Sequence, residues 1–66
     1  MKNTIRVERA ILNITQQELA EKIAVSRQTI NAIESSKYVP STVLAIKMAK
    51  LFNKKVEDIF QLEEKD

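Results

Sequence analysis

The chain has 66 residues, of which 44% are apolar and 30% are charged, and this length accommodates a single domain over residues 1–66. It contains no glycine, cysteine or histidine, which excludes glycine-rich phosphate loops, disulfide bonds, zinc fingers and imidazole or thiolate catalysis. We therefore expect a domain that binds no metal and no cofactor and is not an enzyme.

The net charge of +2 is unevenly distributed. Residues 1–55 contain ten Lys or Arg against four acidic residues, a net charge of +6, whereas residues 56–66 have a net charge of −4. A basic body with an acidic end suits an anionic partner such as nucleic acid, although on charge alone ordinary solvated surface is the better explanation. Because no apolar leader and no membrane-length apolar run is visible, we expect a cytoplasmic protein without membrane contacts.

Apolar residues recur with a period near 3.6, which predicts an all-α domain. Thr15 and Glu18 have the spacing of a capping box, so a helix begins at Gln16, and Ser26 and Ser41 are good N-caps for two later helices. Residues 60–63 alternate like a short strand, which could pair with residues 1–4. The predicted helices cover approximately residues 4–12, 16–24, 27–35, 42–52 and 56–60.

The third predicted helix has one apolar and one polar face. Ile30 and Ile33 lie on the side expected to face the core. The opposite side is formed by Arg27, Gln28, Asn31 and Ser35. Arg, Gln and Asn side chains match the donors and acceptors of base edges in the major groove. Any exposed helix face is polar, however, so composition alone does not establish this function.

The run TQQELAEKIAVSRQTINAIE, residues 15–34, resembles the helix-turn-helix of the Cro and phage-repressor type, the XRE family. The following SSKYVPSTVLAIKMAKLF continues the pattern, so the resemblance covers approximately residues 4–60. It implies a five-helix repressor-like domain with the helix-turn-helix at about residues 16–35. The implied function is a transcription regulator that binds a palindromic operator in double-stranded DNA as a homodimer and represses.

The resemblance also implies roles for individual residues in DNA binding. Arg27, Gln28 and Asn31 align with positions that read bases, and Thr29 is a weaker candidate for a thymine methyl or the DNA backbone. Gln16 aligns with a glutamine that contacts a phosphate at the helix N-terminus. Without the resemblance, Gln16 is equally well explained as an ordinary helix-start residue.

Three further residues are expected near phosphates, and one pair is expected to be structural. Ser26 should cap the third helix and contact phosphate secondarily, while Lys37 and Tyr38 follow that helix in a loop. Tyr38 is equally well explained as packing under the loop. Arg9 and Glu34 align with a charged pair that joins the first helix to the third in related repressors.

The C-terminal end carries more apolar side chains than one small core requires. Ile59, Phe60 and Leu62 are therefore predicted to form a dimer interface. Closing the core of the monomer is the alternative, with about equal weight for Ile59 and less for Leu62.

The sequence departs from the family pattern where glycine is usual. These positions hold Asn13, Ala24, Ser36 and Asn53. Asparagine tolerates the left-handed conformation, but alanine and serine do not, so the turn at Ala24 is either strained or not left-handed, and Ser36 raises the same question. Glu8 occupies a usually apolar position on the first helix, which leaves the packing of that helix open.

A second function remains open alongside DNA binding. Residues 16–37 contain three basic and three acidic residues, which is also compatible with a protein-interaction or antitoxin-like module in which DNA binding is secondary. No effector domain is evident, so we expect no small-molecule effector.

Overall fold

In the computed structural model, which describes residues 1–66, five helices are joined by short turns and the chain ends pair as strands. The elements are β1 (Lys2–Asn3), α1 (Ile5–Leu12), α2 (Gln16–Ile23), α3 (Arg27–Glu34), α4 (Thr42–Phe52), α5 (Val56–Ile59) and β2 (Phe60–Gln61). Strands β1 and β2 are antiparallel, with Lys2 opposite Gln61. The five-helix fold with a terminal strand pair is thus the one that the sequence predicts. None of the helices has the length and apolar character needed to cross a membrane.

Side-chain caps set the starts of three helices. The Thr15 hydroxyl accepts a hydrogen bond from the Glu18 backbone N–H at 3.0 Å, and the Glu18 carboxylate accepts one from the Thr15 N–H at 2.9 Å. The Ser26 and Ser41 hydroxyls each accept a hydrogen bond, at 3.2 Å, from the backbone N–H three residues later. Because each cap satisfies an otherwise free N–H, α2, α3 and α4 begin where the sequence predicts.

Four non-glycine residues adopt positive φ where helices end. They are Asn13, Ala24, Ser36 and Asn53, with φ between 56° and 62°. At Ala24, where φ is 61°, the left-handed backbone lets the Val25 N–H reach the Ala20 carbonyl oxygen at 2.9 Å. The turn is therefore left-handed and strained, because Cβ makes this conformation about 1–2 kcal/mol unfavourable outside glycine and asparagine.

The core is a single cluster to which every helix contributes. It consists of Ile5, Leu19, Ala20, Ile23, Ile30, Ile33, Met48, Ala49, Phe52, Ile59 and Phe60. Helix α1 adds a buried polar residue, Glu8, whose carboxylate lies 3.4 Å from the Lys54 ammonium. The ion pair compensates the buried charge of Glu8, so α1 can pack against the core with a carboxylate at a position that is usually apolar. The outer side of α1 leaves Val7 and Ile11 exposed.

The C-terminal apolar residues divide between core and surface. Ile59 is fully buried and Phe60 is 7% exposed, whereas Leu62 is 80% exposed. Ile59 and Phe60 therefore close the core of the monomer, which is the alternative role that the sequence leaves open for them, and almost none of their surface is available to a partner. Of the three, only Leu62 offers a free apolar side chain.

Candidate nucleic-acid interface

Helices α2 and α3 are joined by residues 24–26 and held from below by the core. Ala20 on α2 has no exposed surface, and its small side chain lets the two helices cross closely. Ile30 and Ile33 bury the opposite side of α3. The apolar underside fixes the orientation of α3, so its polar side faces outward.

The outward side of α3 presents Arg27, Gln28 and Asn31, all three exposed. Arg27 and Gln28 lie in the first turn, and neither side chain is engaged in a hydrogen bond or ion pair within the protein. Their donors and acceptors are therefore free for an external partner. In helix-turn-helix proteins, the N-terminal residues of the second helix contact base edges in the major groove.

The hydroxyl groups near this face are used locally. The hydroxyls of Ser26 and Thr29 are 3.0 Å apart, and Thr29 is half-buried. The Ser35 hydroxyl donates to the Asn31 carbonyl oxygen at 2.8 Å, so its donor is satisfied by the helix itself. The set of side chains free to read bases is thus narrower than the polar face that the sequence suggests.

Arg9 and Glu34 lie together and join α1 to α3. The Arg9 Nε and Nη2 atoms donate to the two carboxylate oxygens of Glu34 at 2.6 and 3.1 Å, and Nη1 donates to the Ile14 carbonyl oxygen at 3.1 Å. The side chains are 16% and 3% exposed, respectively. A bidentate pair this well buried fixes both groups in one geometry.

Gln16 stands between this ion pair and the outward side of α3. Its Nε2 atom donates to Glu34 Oε1 at 3.3 Å and to Asn31 Oδ1 at 3.4 Å. Both amide hydrogens are therefore used inside the protein. The backbone N–H groups of Gln16 and Gln17 have no partner, and such free groups at a helix N-terminus bind anions.

A surface cleft runs beside these backbone groups. It is lined by Arg9, Asn13, Thr15, Gln16, Gln17 and Arg27, among others, and has a volume of about 530 Å³. The cleft joins the end of α1 to the starts of α2 and α3. Its cationic and N–H donors suit a phosphate group of a nucleic-acid backbone.

Contacts to the far end of α3 come from distant parts of the chain and are not visible as motifs. The Asn3 side chain donates to the Ile33 carbonyl oxygen at 2.9 Å, and the Ser36 hydroxyl donates to the Met1 carbonyl oxygen at 3.0 Å. Lys37 and Tyr38 lie beyond this end, both exposed, with half of the Tyr38 surface accessible. Tyr38 therefore does not pack under the loop.

The Met1 ammonium forms an ion cluster with the acidic end of the chain. It lies 3.0 Å from Glu63 Oε1 and 3.1 Å from Asp66 Oδ2. Hydrogen bonds to Glu63 and Asp66 raise the pKa of the ammonium. The ammonium in turn lowers the pKa of Glu63, and the Glu63 backbone N–H together with the ammonium lowers the pKa of Asp66.

Helices α2 and α3 cross closely, and the first turn of α3 exposes polar side chains. This arrangement defines a helix-turn-helix domain. Comparison with known proteins agrees, since residues 5–59 match the family model described as helix-turn-helix. The chain is 56% identical over 64 residues to an HTH-type transcriptional regulator of Methanocaldococcus jannaschii, with 97% of each chain covered. It is 47% identical over 66 residues to the HTH-type transcriptional regulator YgzD of Bacillus subtilis, with both chains fully covered. The protein therefore belongs to the helix-turn-helix family of DNA-binding transcription regulators.

Proposed function

We propose that this protein is a sequence-specific repressor that binds a palindromic operator as a homodimer. The observation that carries the proposal is the first turn of α3, where Arg27 and Gln28 are exposed and unengaged on a helix whose underside is locked into the core. In the major groove, Arg27 would donate to guanine O6 and N7, and Gln28 would pair with adenine N6 and N7. Repression follows from occupancy of the operator.

Affinity and specificity would come from different groups. The free N–H groups of Gln16 and Gln17, the cap at Ser26 and the exposed Lys37 and Tyr38 would hold phosphates, which makes binding sensitive to salt. Arg27, Gln28 and Asn31 would supply base discrimination, with Thr29 contributing less because its hydroxyl faces Ser26.

Selection from random DNA duplexes tests the proposal. We expect the protein to enrich a symmetric site with half-sites about 34 Å apart. Arg27→Ala should reduce affinity for that site by about 10-fold or more, because a bidentate base contact is worth ~1–3 kcal/mol. It should also reduce the base selectivity at one position of the DNA site. Lys50→Ala on α4 removes the same charge elsewhere and should leave the base preferences unchanged. Failure to enrich any site, or equal effects of the two variants, would contradict sequence-specific binding.

The homodimer is proposed to use the exposed Leu62 beyond β2. A side chain that is 80% exposed and apolar is a candidate for burial against a second copy. Leu62→Glu should shift the mass in solution from dimer to monomer and weaken binding to two half-sites without changing the fold. A monomeric wild-type protein, free and on DNA, would rule out this assembly.

One observation favours the protein-interaction alternative. Val7 and Ile11, one helical turn apart on α1, are 57% and 65% exposed, and this apolar strip contains none of the residues proposed to bind DNA. If DNA binding is secondary, Ile11→Lys should abolish binding to a copurifying protein partner. Under the repressor proposal, the same change leaves operator binding intact.

A further inference from the structure

Asn31 has an amide that can present either a donor or an acceptor to DNA, and the surrounding hydrogen bonds decide which. The Glu34 carboxylate only accepts hydrogen bonds, and the Arg9 guanidinium holds it in place at 2.6 and 3.1 Å. The Gln16 amide lies 3.3 Å from Glu34 Oε1, so it must turn its NH₂ group toward Glu34.

The same Gln16 nitrogen reaches Asn31 at 3.4 Å. Because the Gln16 NH₂ group can only donate, Asn31 must offer it an acceptor, so Asn31 turns Oδ1 toward Gln16. Because the oxygen and nitrogen of a planar amide point in opposite directions, the Asn31 NH₂ group then points away from Gln16 on the exposed side of α3. A flipped Asn31 would place two NH₂ groups against each other.

We infer that Glu34 and Gln16 are positioning residues that make Asn31 a donor-only reader of DNA bases. This inference rests on the proposed sequence-specific function. Guanine presents two neighbouring acceptors, O6 and N7, and thymine presents O4, whereas adenine places the N6 donor beside its N7 acceptor and is matched only by a group that both donates and accepts. Asn31 therefore favours guanine or thymine over adenine, although asparagine is otherwise suited to adenine.

Site selection with a small set of variants tests this inference. Asn31→Ala identifies the base position that Asn31 reads, since the preference at that position is lost. Gln16→Met keeps the length of the side chain but removes its donors, which frees Asn31 Oδ1. At the identified position, Gln16→Met should increase the ratio of adenine to guanine or thymine about 10-fold, because the amide can then make the bidentate contact.

Two control variants distinguish the orientation of Asn31 from a general loss of contacts. Gln17→Met makes the same chemical change in a side chain that contacts Glu21 instead. It keeps the backbone N–H proposed to hold a phosphate, so it should leave the base preference unchanged. Gln16→Lys restores a donor between Glu34 and Asn31 and should restore the preference for guanine or thymine. A role of Gln16 in phosphate binding alone would lower affinity for all sequences equally.

The outcomes separate the two hypotheses. If the wild-type protein enriches no site, the proposed function fails and this inference fails with it. If a site is enriched but Gln16→Met leaves the preference at the Asn31 position unchanged, the orientation mechanism is wrong while the proposed function stands. The mechanism is also wrong if Asn31→Ala alters no position or if Gln17→Met has the same effect as Gln16→Met.

Discussion

The two ends of helix α3 are held in different ways. At its N-terminus, the contacts are local: the Ser26 cap and the left-handed turn at Ala24 position the helix through the backbone. At its C-terminus, the contacts span the chain, with Arg9 paired to Glu34 and the Asn3 side chain bonded to the Ile33 carbonyl.

This difference explains how the first turn of α3 can be held in place while its side chains have no partners within the protein. A donor or acceptor that already holds a helix in place is less available to an external partner. Placing the long-range contacts at the far end leaves Arg27 and Gln28 without internal partners. The helix is anchored at one end so that the other end remains available.

The largest expected effect is at the C-terminal anchor. Glu34→Ala leaves the Arg9 guanidinium, which is only 16% exposed, without its partner. We expect a loss of about 3 kcal/mol in the free energy of unfolding, which lowers Tm by roughly 12–24 °C in a domain of this size. Thermal unfolding followed by circular dichroism measures this shift.

Two comparison variants make the result specific. Glu64→Ala removes an exposed carboxylate that has no ion pair and should leave Tm nearly unchanged. Replacing both charges, in Arg9→Met with Glu34→Leu, should destabilise less than Glu34→Ala alone, because no charge is left unpaired. Equal Tm values for Glu34→Ala and the wild type would show that the anchor does not depend on this pair.

The N-terminal anchor has a smaller effect of opposite sign. Ala24→Gly removes the Cβ clash at φ 61° and should stabilise the fold by about 1 kcal/mol after the greater freedom of unfolded glycine is subtracted. Asn13→Gly, at φ 56°, should change stability little because asparagine already tolerates this conformation. Ser36→Gly should gain less than Ala24→Gly, since it also loses the hydrogen bond to Met1. Urea unfolding can rank the three variants, and any order that puts Asn13→Gly first would contradict the strain argument.

The smallest effect is expected from the exposed ion cluster beside the C-terminal anchor. The raised pKa of the Met1 ammonium means that its contribution is complete below its ordinary value of 8.0 and is lost as pH rises through the folded value. The lowered pKa values of Glu63 and Asp66 mean that their contribution is complete above their ordinary values of 4.5 and 3.8 and is lost in acid. The cluster therefore stabilises the fold most between about pH 5 and 8.

A variant without these carboxylates isolates the effect. The difference in Tm between the wild type and Glu63→Gln with Asp66→Asn should be largest near pH 6 and should shrink toward both pH 3 and pH 10. A difference that does not vary with pH would mean that the cluster contributes through packing rather than charge.

Local signals in the sequence predicted the parts of the fold that depend on near neighbours. The capping box at Thr15, the caps at Ser26 and Ser41 and the helical apolar spacing are all encoded within a few residues, so the helix starts and the core side of α3 could be predicted. The strand pairing of the chain ends followed from alternation near Phe60.

Contacts between distant residues could not be predicted in the same way. The hydrogen bond from Asn3 to Ile33 joins residues 30 positions apart, and no local pattern marks it. The link from Gln16 to Asn31 and Glu34 depends on the angle between α2 and α3, which packing determines. The role of Phe60 stays open in the sequence for a related reason: an apolar pattern identifies a residue that needs burial without identifying what buries it.

The pairing of β1 with β2 also brings residues 1 and 66 next to each other. With the Met1 nitrogen 3.1 Å from an Asp66 side-chain oxygen, a short linker could join the two ends without displacing any helix. Such a ring would restrict the unfolded chain and so favour the folded state, while replacing the ion cluster by a covalent connection. The join would lie near Ser36, at the opposite end of α3 from Arg27, so the turn proposed to read bases would be unchanged.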